Sequence, residues 1–319
     1  MFWRDSVQTA IVTGPTGVLG TALREKLLQE GVETYVICHP GSKRTASIQP
    51  HPLLHIVDCD MSDYGALPDL IGRPCEAFFH LAWLGTADPL NRMNMHLQTM
   101  NIKYTLEAAE AAHALQCSVF VGAGSQAEYG RVAEGILHPD TPANPVGGYG
   151  MAKLCAGQMT RAMCKSYGIR HIWPRVVSVY GPGDGQGTLI SSVIRQLLEG
   201  KRPALTAGEQ IWDYLCSADA AEAFYQMAER GRDGAVYVLG SGRTRRLREF
   251  IEIIRDAIDP ALPLGFGERP YYPDQAMHLE ADISALSRDT GWKPNIPFAE
   301  GIKRLMHEQA WQSPNLEGK

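Results

Sequence analysis

Tyr149 and Lys153 stand four residues apart in the stretch Gly147-Gly148-Tyr149-Gly150-Met151-Ala152-Lys153. On a helix, residues i and i+4 share a face, so a phenol and an ammonium would be neighbours. A phenol titrates near ~10 and is a poor base at neutral pH unless its anion is stabilised. The ammonium would lower that pKa and could also hydrogen-bond a ligand hydroxyl. Such a couple suits proton transfer to or from an alcohol or carbonyl oxygen. The spacing alone arises often by chance, so its meaning depends on its surroundings. One candidate companion is Ser125, in Gly122-Ala123-Gly124-Ser125-Gln126-Ala127-Glu128-Tyr129-Gly130. Its hydroxyl could polarise the same oxygen, or simply cap a turn.

The elements that would have to position these groups alternate in type. Thr9–Thr13 reads as a buried strand and 18–29 as a helix with leucines at Leu19, Leu23 and Leu27. Further strands are expected at 34–38, 53–57, 76–81, 118–122 and 169–173. Helices are expected at 90–115 and 149–167. Strands alternating with helices argue for a parallel sheet covered on both faces. After Gly181 the pattern becomes irregular, with a helix near 189–199, a strand-helix-strand passage over 211–239, and helices near 247–258 and 298–311. Residues 1–180, rejoined by 211–240, are expected to form the sheet domain. Residues 181–210 and 241–319 would form a smaller C-terminal α/β lobe over the sheet's carboxyl edge.

Gly14-Pro15-Thr16-Gly17-Val18-Leu19-Gly20 follows the first strand and opens the first helix. Gly14 permits a tight turn, Gly17 lets backbone approach a pyrophosphate, and Gly20 lets helix and strand pack closely. The helix N-terminus supplies free N–H groups and the positive end of a dipole. In this strand-turn-helix context the pattern predicts a dinucleotide site. The second strand then runs into Cys38-His39-Pro40-Gly41-Ser42-Lys43-Arg44, with no acid for a ribose 2′-OH. Ser42, Lys43 and Arg44 could hold a 2′-phosphate, which favours NADP, with NAD as the alternative.

The Gly-x-x-Gly-x-x-Gly spacing, with Tyr149 and Lys153 some 130 residues later, resembles the short-chain dehydrogenase/reductase superfamily. Chain length and later motifs resemble its extended branch, the nucleotide-sugar epimerases, dehydratases and ketoreductases. The resemblance implies a Rossmann-type doubly wound sheet and a catalytic set of Ser125, Tyr149 and Lys153. It places Gly14, Thr16, Gly17, Val18, Leu19, His39, Ser42, Lys43 and Arg44 on the cofactor, with Asp60 at the adenine amino group and Met61 near the ring. Leu81, Ala82 and Trp83, after His80, would line the cofactor, and Asn101 would support the site. Pro174 and Val176 would pass the nicotinamide. Ser125, Gln126, Ser178, Trp212 and Arg269 would meet the substrate. Trp212 stands where the family usually has an arginine, which leaves one customary nucleotide-sugar contact in question.

The related 4,6-dehydratases carry an acid pair just after the catalytic hydroxyl, where this chain has Gln126 and Ala127, and Glu128 is displaced. Elimination is therefore disfavoured. Epimerases and ketoreductases share the Ser-Tyr-Lys set. The cationic loop after the second strand favours NADPH reduction of the C4 ketone of a nucleotide-diphosphate deoxysugar. An NAD-dependent 4-epimerase and a reductase of small non-sugar carbonyls remain as alternatives. A scaffold without chemistry would typically lose the tyrosine or the lysine, and both are present.

Bulk properties exclude other classes. The formal net charge of −5 gives no basic footprint for nucleic acid. The run Arg243, Arg245, Arg246, Arg248 reads as a solvated face or a phosphate contact. Seven scattered cysteines without C-x-x-C suit free thiols in a reducing cytosol. Without a secretion signal or a membrane-spanning apolar run, a cytoplasmic protein is expected. No histidine spacing suggests a metal. Met93, Met100, Met151, Met159 and Met163 on the two long helices could supply a homodimer surface or internal core.

Overall fold

Apolar runs become strands and leucine-spaced segments become helices in the computed structural model, which describes residues 6–86, 88–132, 135–272 and 275–311. The first half contains β1 (Thr9–Thr13), α1 (Val18–Gln29), β2 (Glu33–Cys38), β3 (Leu54–Asp58), α2 (Leu67–Ile71) and β4 (Ala77–His80). Next come α3 (Pro89–Met93), α4 (Met95–Ala114), β5 (Val119–Gly122), β6 (Gly124–Ser125), α5 (Gly148–Tyr167) and β7 (Arg170–Val176). Then follow β8 (Val179–Tyr180), α6 (Leu189–Leu198), β9 (Ile211–Trp212), β10 (Leu215–Cys216), α7 (Ser217–Arg230) and β11 (Ala235–Leu239). The last elements are β12 (Arg245–Arg246), α8 (Leu247–Ile258), α9 (Ser284–Thr290) and α10 (Phe298–Trp311).

One eight-stranded sheet runs β3-β2-β1-β4-β5-β7-β11, with the short β6 also paired to β7. Its ladders are parallel throughout. Strands are added outward in both directions from β1 and β4, the doubly wound arrangement expected from the alternating pattern. Successive side chains point to opposite faces, and the two cores follow that alternation. Val12, Phe79 and Val121 pack with Leu23 and Leu27 of α1 and Phe224 and Met227 of α7. Ile11, Phe78 and Phe120 pack with Ala108, Ala109 and Ala112 of α4 and Cys164 of α5. A third cluster joins α6, α8 and α10 through Ile194, Ile251 and Ile302.

Two expected boundaries move by more than one residue. The helix expected over 90–115 is broken at Asn94, whose backbone is extended (ψ 97) and whose side chain caps Leu97 N–H at 3.1 Å. The strand expected to end at Trp173 continues through Pro174 to Val176. Proline has no N–H to donate and is rare inside a sheet. Here it falls where β7 changes partner: Ile172 pairs with β5, Arg175 with β6, and no pairing on that side is made between them. Among the described residues, no helix is long and apolar enough to cross a membrane.

Two core histidines make this packing sensitive to acid. Burial pushes His80 down to about 3 and His171 to about 4. The folded state therefore holds both neutral, while the unfolded chain protonates them near ~6.5. Stability is complete above that value and falls as pH drops from it towards 4. The urea midpoint should be lower at pH 5 than at pH 7; equal midpoints would show that these histidines do not contribute.

Candidate active site

The glycine turn sits at the carboxyl end of β1. Gly14 has φ +67°, and an added Cβ would lie 2.8 Å from Ala82 N. Gly20 is equally constrained, because its Cβ would come within 2.1 Å of Gly14 O. Gly17 differs: an added Cβ would touch only Gly14 O, at an ordinary 3.7 Å. Nothing in the protein requires glycine there, and what its bareness preserves is open space before the first turn of α1. That turn has no side-chain cap and no acidic residue, so its N–H groups are available to an anion. The cradle therefore fits a pyrophosphate. Thr13 Oγ1 fixes the opposite wall by accepting from Leu81 N–H and Ala82 N–H, both at 3.1 Å.

The residues expected to discriminate between cofactors are arranged less simply. Arg44 donates to the carbonyl of Thr16 and reaches that of Gly183 at 3.5 Å. It thus closes over the glycine turn instead of extending free beside Ser42 and Lys43 on their short helical turn. His39 Nε2 lies 3.0 Å from Asp60 Oδ2, so two residues assigned to the adenine side meet each other. Ser62, through its N–H and its hydroxyl, holds the Asp60 carboxyl below its usual range, with His39 adding to the effect. Met61, half-exposed, packs on the second core.

Ser125, Tyr149 and Lys153 come together at the ends of β6 and α5. Ser125 is buried and caps the turn 126–129, its Oγ accepting from Ala127 N–H at 3.2 Å. Its hydroxyl stands near the Tyr149 phenol and favours the anion. Lys153 Nζ lies 5.9 Å from the Tyr149 ring centre and donates to Ala123 O at 2.7 Å. The ammonium also rests on the Trp83 indole, 3.6 Å from its centre. That indole meets Tyr149 edge-on at 6.0 Å and donates to Gln98 Oε1 at 2.9 Å.

The expected electrostatics require correction. Burial pushes the Tyr149 phenol above its ordinary value, opposed by Ser125 and then Arg92. Burial also pushes the Lys153 ammonium down to about 7. Arg92, which the sequence did not single out, lies 5.1 Å from the Tyr149 ring centre. No local spacing could have shown this, because the contact crosses from α3 to α5.

Glu128 has no exposed surface. Its Oε1 accepts from Ser125 N–H at 2.8 Å and Trp173 Nε1 at 3.0 Å, and its Oε2 accepts from Arg175 Nε at 2.8 Å. The displaced acid is thus aimed beneath the site, away from the cleft. Asn101 clamps the loop after β4, accepting from Leu84 N–H at 2.8 Å and donating to Leu84 O at 3.1 Å. Trp212 Nε1 donates to Ser178 Oγ at 3.0 Å. Gln126 is half-buried beside Ser125, while Val176 pairs with Ser125 across the ladder. Arg269 is exposed, its N–H bonded to Leu205 O at 3.0 Å.

An anion cradle before the first helix, at the carboxyl edge of a doubly wound sheet, beside a hydroxyl, a phenol and an ammonium, defines a dinucleotide-dependent enzyme. Residues 10–240 match the model of the NAD dependent epimerase/dehydratase family, and the chain belongs to that family. It is an NAD(P)-dependent enzyme. The chain is 25% identical over 305 residues to GDP-6-deoxy-D-mannose reductase of Pseudomonas aeruginosa, covering 91% of this chain and 98% of that protein. Among solved structures it is similar to UDP-N-acetylglucosamine 4-epimerase from Methanobrevibacter ruminantium M1 in complex with UDP-N-acetylmuramic acid. There the TM-score is 0.87 and the identity 23%, covering 97% of this chain and 100% of that one. It is also similar to RMD from Pseudomonas aeruginosa complexed with NADPH, with TM-score 0.80 and 23% identity, covering 96% and 100%.

The two kinds of glycine should separate experimentally. Gly17→Ala should leave the thermal midpoint unchanged and weaken NADPH binding about tenfold or more, some 1.4 kcal/mol. Gly14→Ala should destabilise the protein itself by roughly 1–3 kcal/mol through its left-handed backbone and its clash. Calorimetric unfolding and NADPH titration of both variants check this. Undiminished binding by Gly17→Ala would remove the pyrophosphate from the cradle.

Proposed function

We propose that this protein uses NADPH to reduce the 4-keto group of a nucleotide-diphosphate (deoxy)sugar, acting in the cytoplasm as a homodimer. The observation that carries this reading is the meeting of the Tyr149 phenol with the Ser125 hydroxyl beside a buried Lys153. The nicotinamide would supply hydride to the ketone carbon. Tyr149 would give its proton to the ketone oxygen as the C–O double bond is lost, while Ser125 hydrogen-bonds that oxygen. Lys153 has one N–H committed to Ala123 O, so its remaining donors suit the hydroxyls of the nicotinamide ribose. Residues 181–210 and 241–319 would form the substrate lobe, with Ser178, Trp212 and Arg269 towards the nucleotide sugar.

Three observations support reduction. A relative aligned over most of both chains is named a reductase, and a similar solved structure holds NADPH. The segment after β2 carries Ser42 and Lys43 and no acid, with Arg44 turned onto the glycine turn beside it. Dehydration would need an acid facing the sugar, and Glu128 is consumed by Ser125, Trp173 and Arg175. Purified protein with a 4-keto nucleotide sugar should therefore consume NADPH. Tyr149→Phe should lower the rate about 10²–10⁴-fold, the usual contribution of a positioned proton donor. Interconversion of gluco and galacto sugars with retained NAD would instead establish the epimerase reading.

The homodimer rests on the outer face of α3, α4 and α5. Met93, Met100, Met151 and Met159 are exposed there, and Leu90 is 80% exposed. Met163 packs into the second core instead. Surfaces of this kind are commonly covered in assemblies. Sedimentation at micromolar concentration should give twice the monomer mass, and Met151→Glu should shift it towards one; a wild-type monomer would discard the dimer.

A further inference from the structure

We propose that Arg92 is the positioning residue for the Tyr149 phenol: its guanidinium, lying over the ring, stabilises the negative charge left when the proton departs. The inference rests on the reading of Tyr149 as proton donor and adds a second cation to that of Lys153. Lys153 Nζ is farther from the ring than Arg92, at 5.9 against 5.1 Å, and is engaged by Ala123 O and the Trp83 face.

Arg92 is free for the task. Its Nε reaches Thr86 O at 3.4 Å, and among the described residues it makes no ion pair with a carboxylate. Its placement is fixed by α3, whose first turn is capped by Asp88 accepting from Leu90 N–H at 2.9 Å. The break at Asn94 aims that short helix at α5. Gly148 sits so close beneath it that an added Cβ would lie 3.3 Å from Arg92 O.

Two cations face the phenol ring, Arg92 from α3 at 5.1 Å and Lys153 from α5 at 5.9 Å. From α5 comes Lys153. From the turn after β6 come the uncharged Ser125 and the carboxylate of Glu128, which disfavours a phenolate but is itself paired with Arg175. From the loop after β4 comes only the uncharged Trp83. The first turn of α5 adds the positive end of its own dipole. Burial raises the phenol, and the Ser125 hydroxyl and the Arg92 charge oppose this.

In the reductive direction Tyr149 loses its proton to the ketone oxygen, and solvent returns one afterwards. In the reverse direction the phenolate must accept the proton of the alcohol, so oxidation of the product by NADP⁺ rises with pH through the phenol's pKa. Arg92→Gln should move that rise upward by about half to one pH unit, the effect of one partly screened charge at this separation. Arg92→Lys should restore most of it. A uniformly slower enzyme with an unmoved profile would reduce Arg92 to a structural residue and overturn the proposal.

A substrate-free measurement separates this proposal from the reaction itself. Near-ultraviolet titration of the phenolate, taken as the difference from Tyr149→Phe, should show the same upward shift in Arg92→Gln and in Arg92→Met. A shift without turnover of any nucleotide sugar keeps the role of Arg92 and discards the reductase reading. No shift discards the role of Arg92 whatever the enzyme turns over.

Discussion

A strand that stops early leaves its neighbour's next carbonyl unpaired, and β4 stops at His80 beside β5. Ala123 faces the β4 side of its strand, where its N–H bonds His80 O at 3.0 Å. A buried carbonyl without its ladder partner must find another donor. Ala123 O finds Lys153 Nζ at 2.7 Å. The early end of β4 thus seats the lysine, and because α5 carries Lys153 and Tyr149 on one face, it also fixes where the phenol stands. A β4 that paired on past His80 would leave the ammonium without this acceptor, in a setting that already disfavours its charge.

The hydroxyl side depends on a second buried polar group. Glu128 ties the Ser125 backbone to Trp173 and Arg175, so strand, turn and cap are held by one carboxylate. Removing one partner of such a buried pair typically costs several kcal/mol, because the other charge is left stranded. The Trp173 indole that completes the network needs room. Added Cβ atoms at Gly122, Gly124 and Gly157 would each lie within 2.6 Å of it. These glycines are spaces cut for an indole. The same network keeps Glu128 out of the cleft, which links an architectural feature to the kind of reaction the site can support.

What the sequence made legible follows from the range of each interaction. The glycine turn, the first strand and helix, and the Tyr149–Lys153 face are local patterns, and local geometry governs them. β1, α1, α8 and α10 take the expected bounds. The break at Asn94 depends on a side-chain cap that competes with helix continuation, and apolar spacing does not record it. Arg44 was legible as a cation after β2. Its use in tying down Thr16 and Gly183 was not, since Gly183 is 139 residues away. Likewise Lys153 was legible as Tyr149's neighbour, but its commitment to Ala123 and Trp83 comes from three separate segments. Sequence spacing identified the participants; the partners that set their charge states come from long-range packing.

Those charge states follow one economy. A phenol and an ammonium placed together out of water each resist ionisation, as their opposite shifts record. A bound ligand that brings hydroxyls to Lys153 and an oxygen to Tyr149 would supply hydrogen bonds that the protein alone withholds. Trp83 adds to this by covering the ammonium with an aromatic face, which offsets part of the lost hydration without using its N–H groups. At the other end of the cleft, the bare Gly17 leaves the α1 N–H groups free in the same way. Both ends therefore hold donors in reserve, and a single extended ligand with a pyrophosphate at one end and a ribose at the other would satisfy them together.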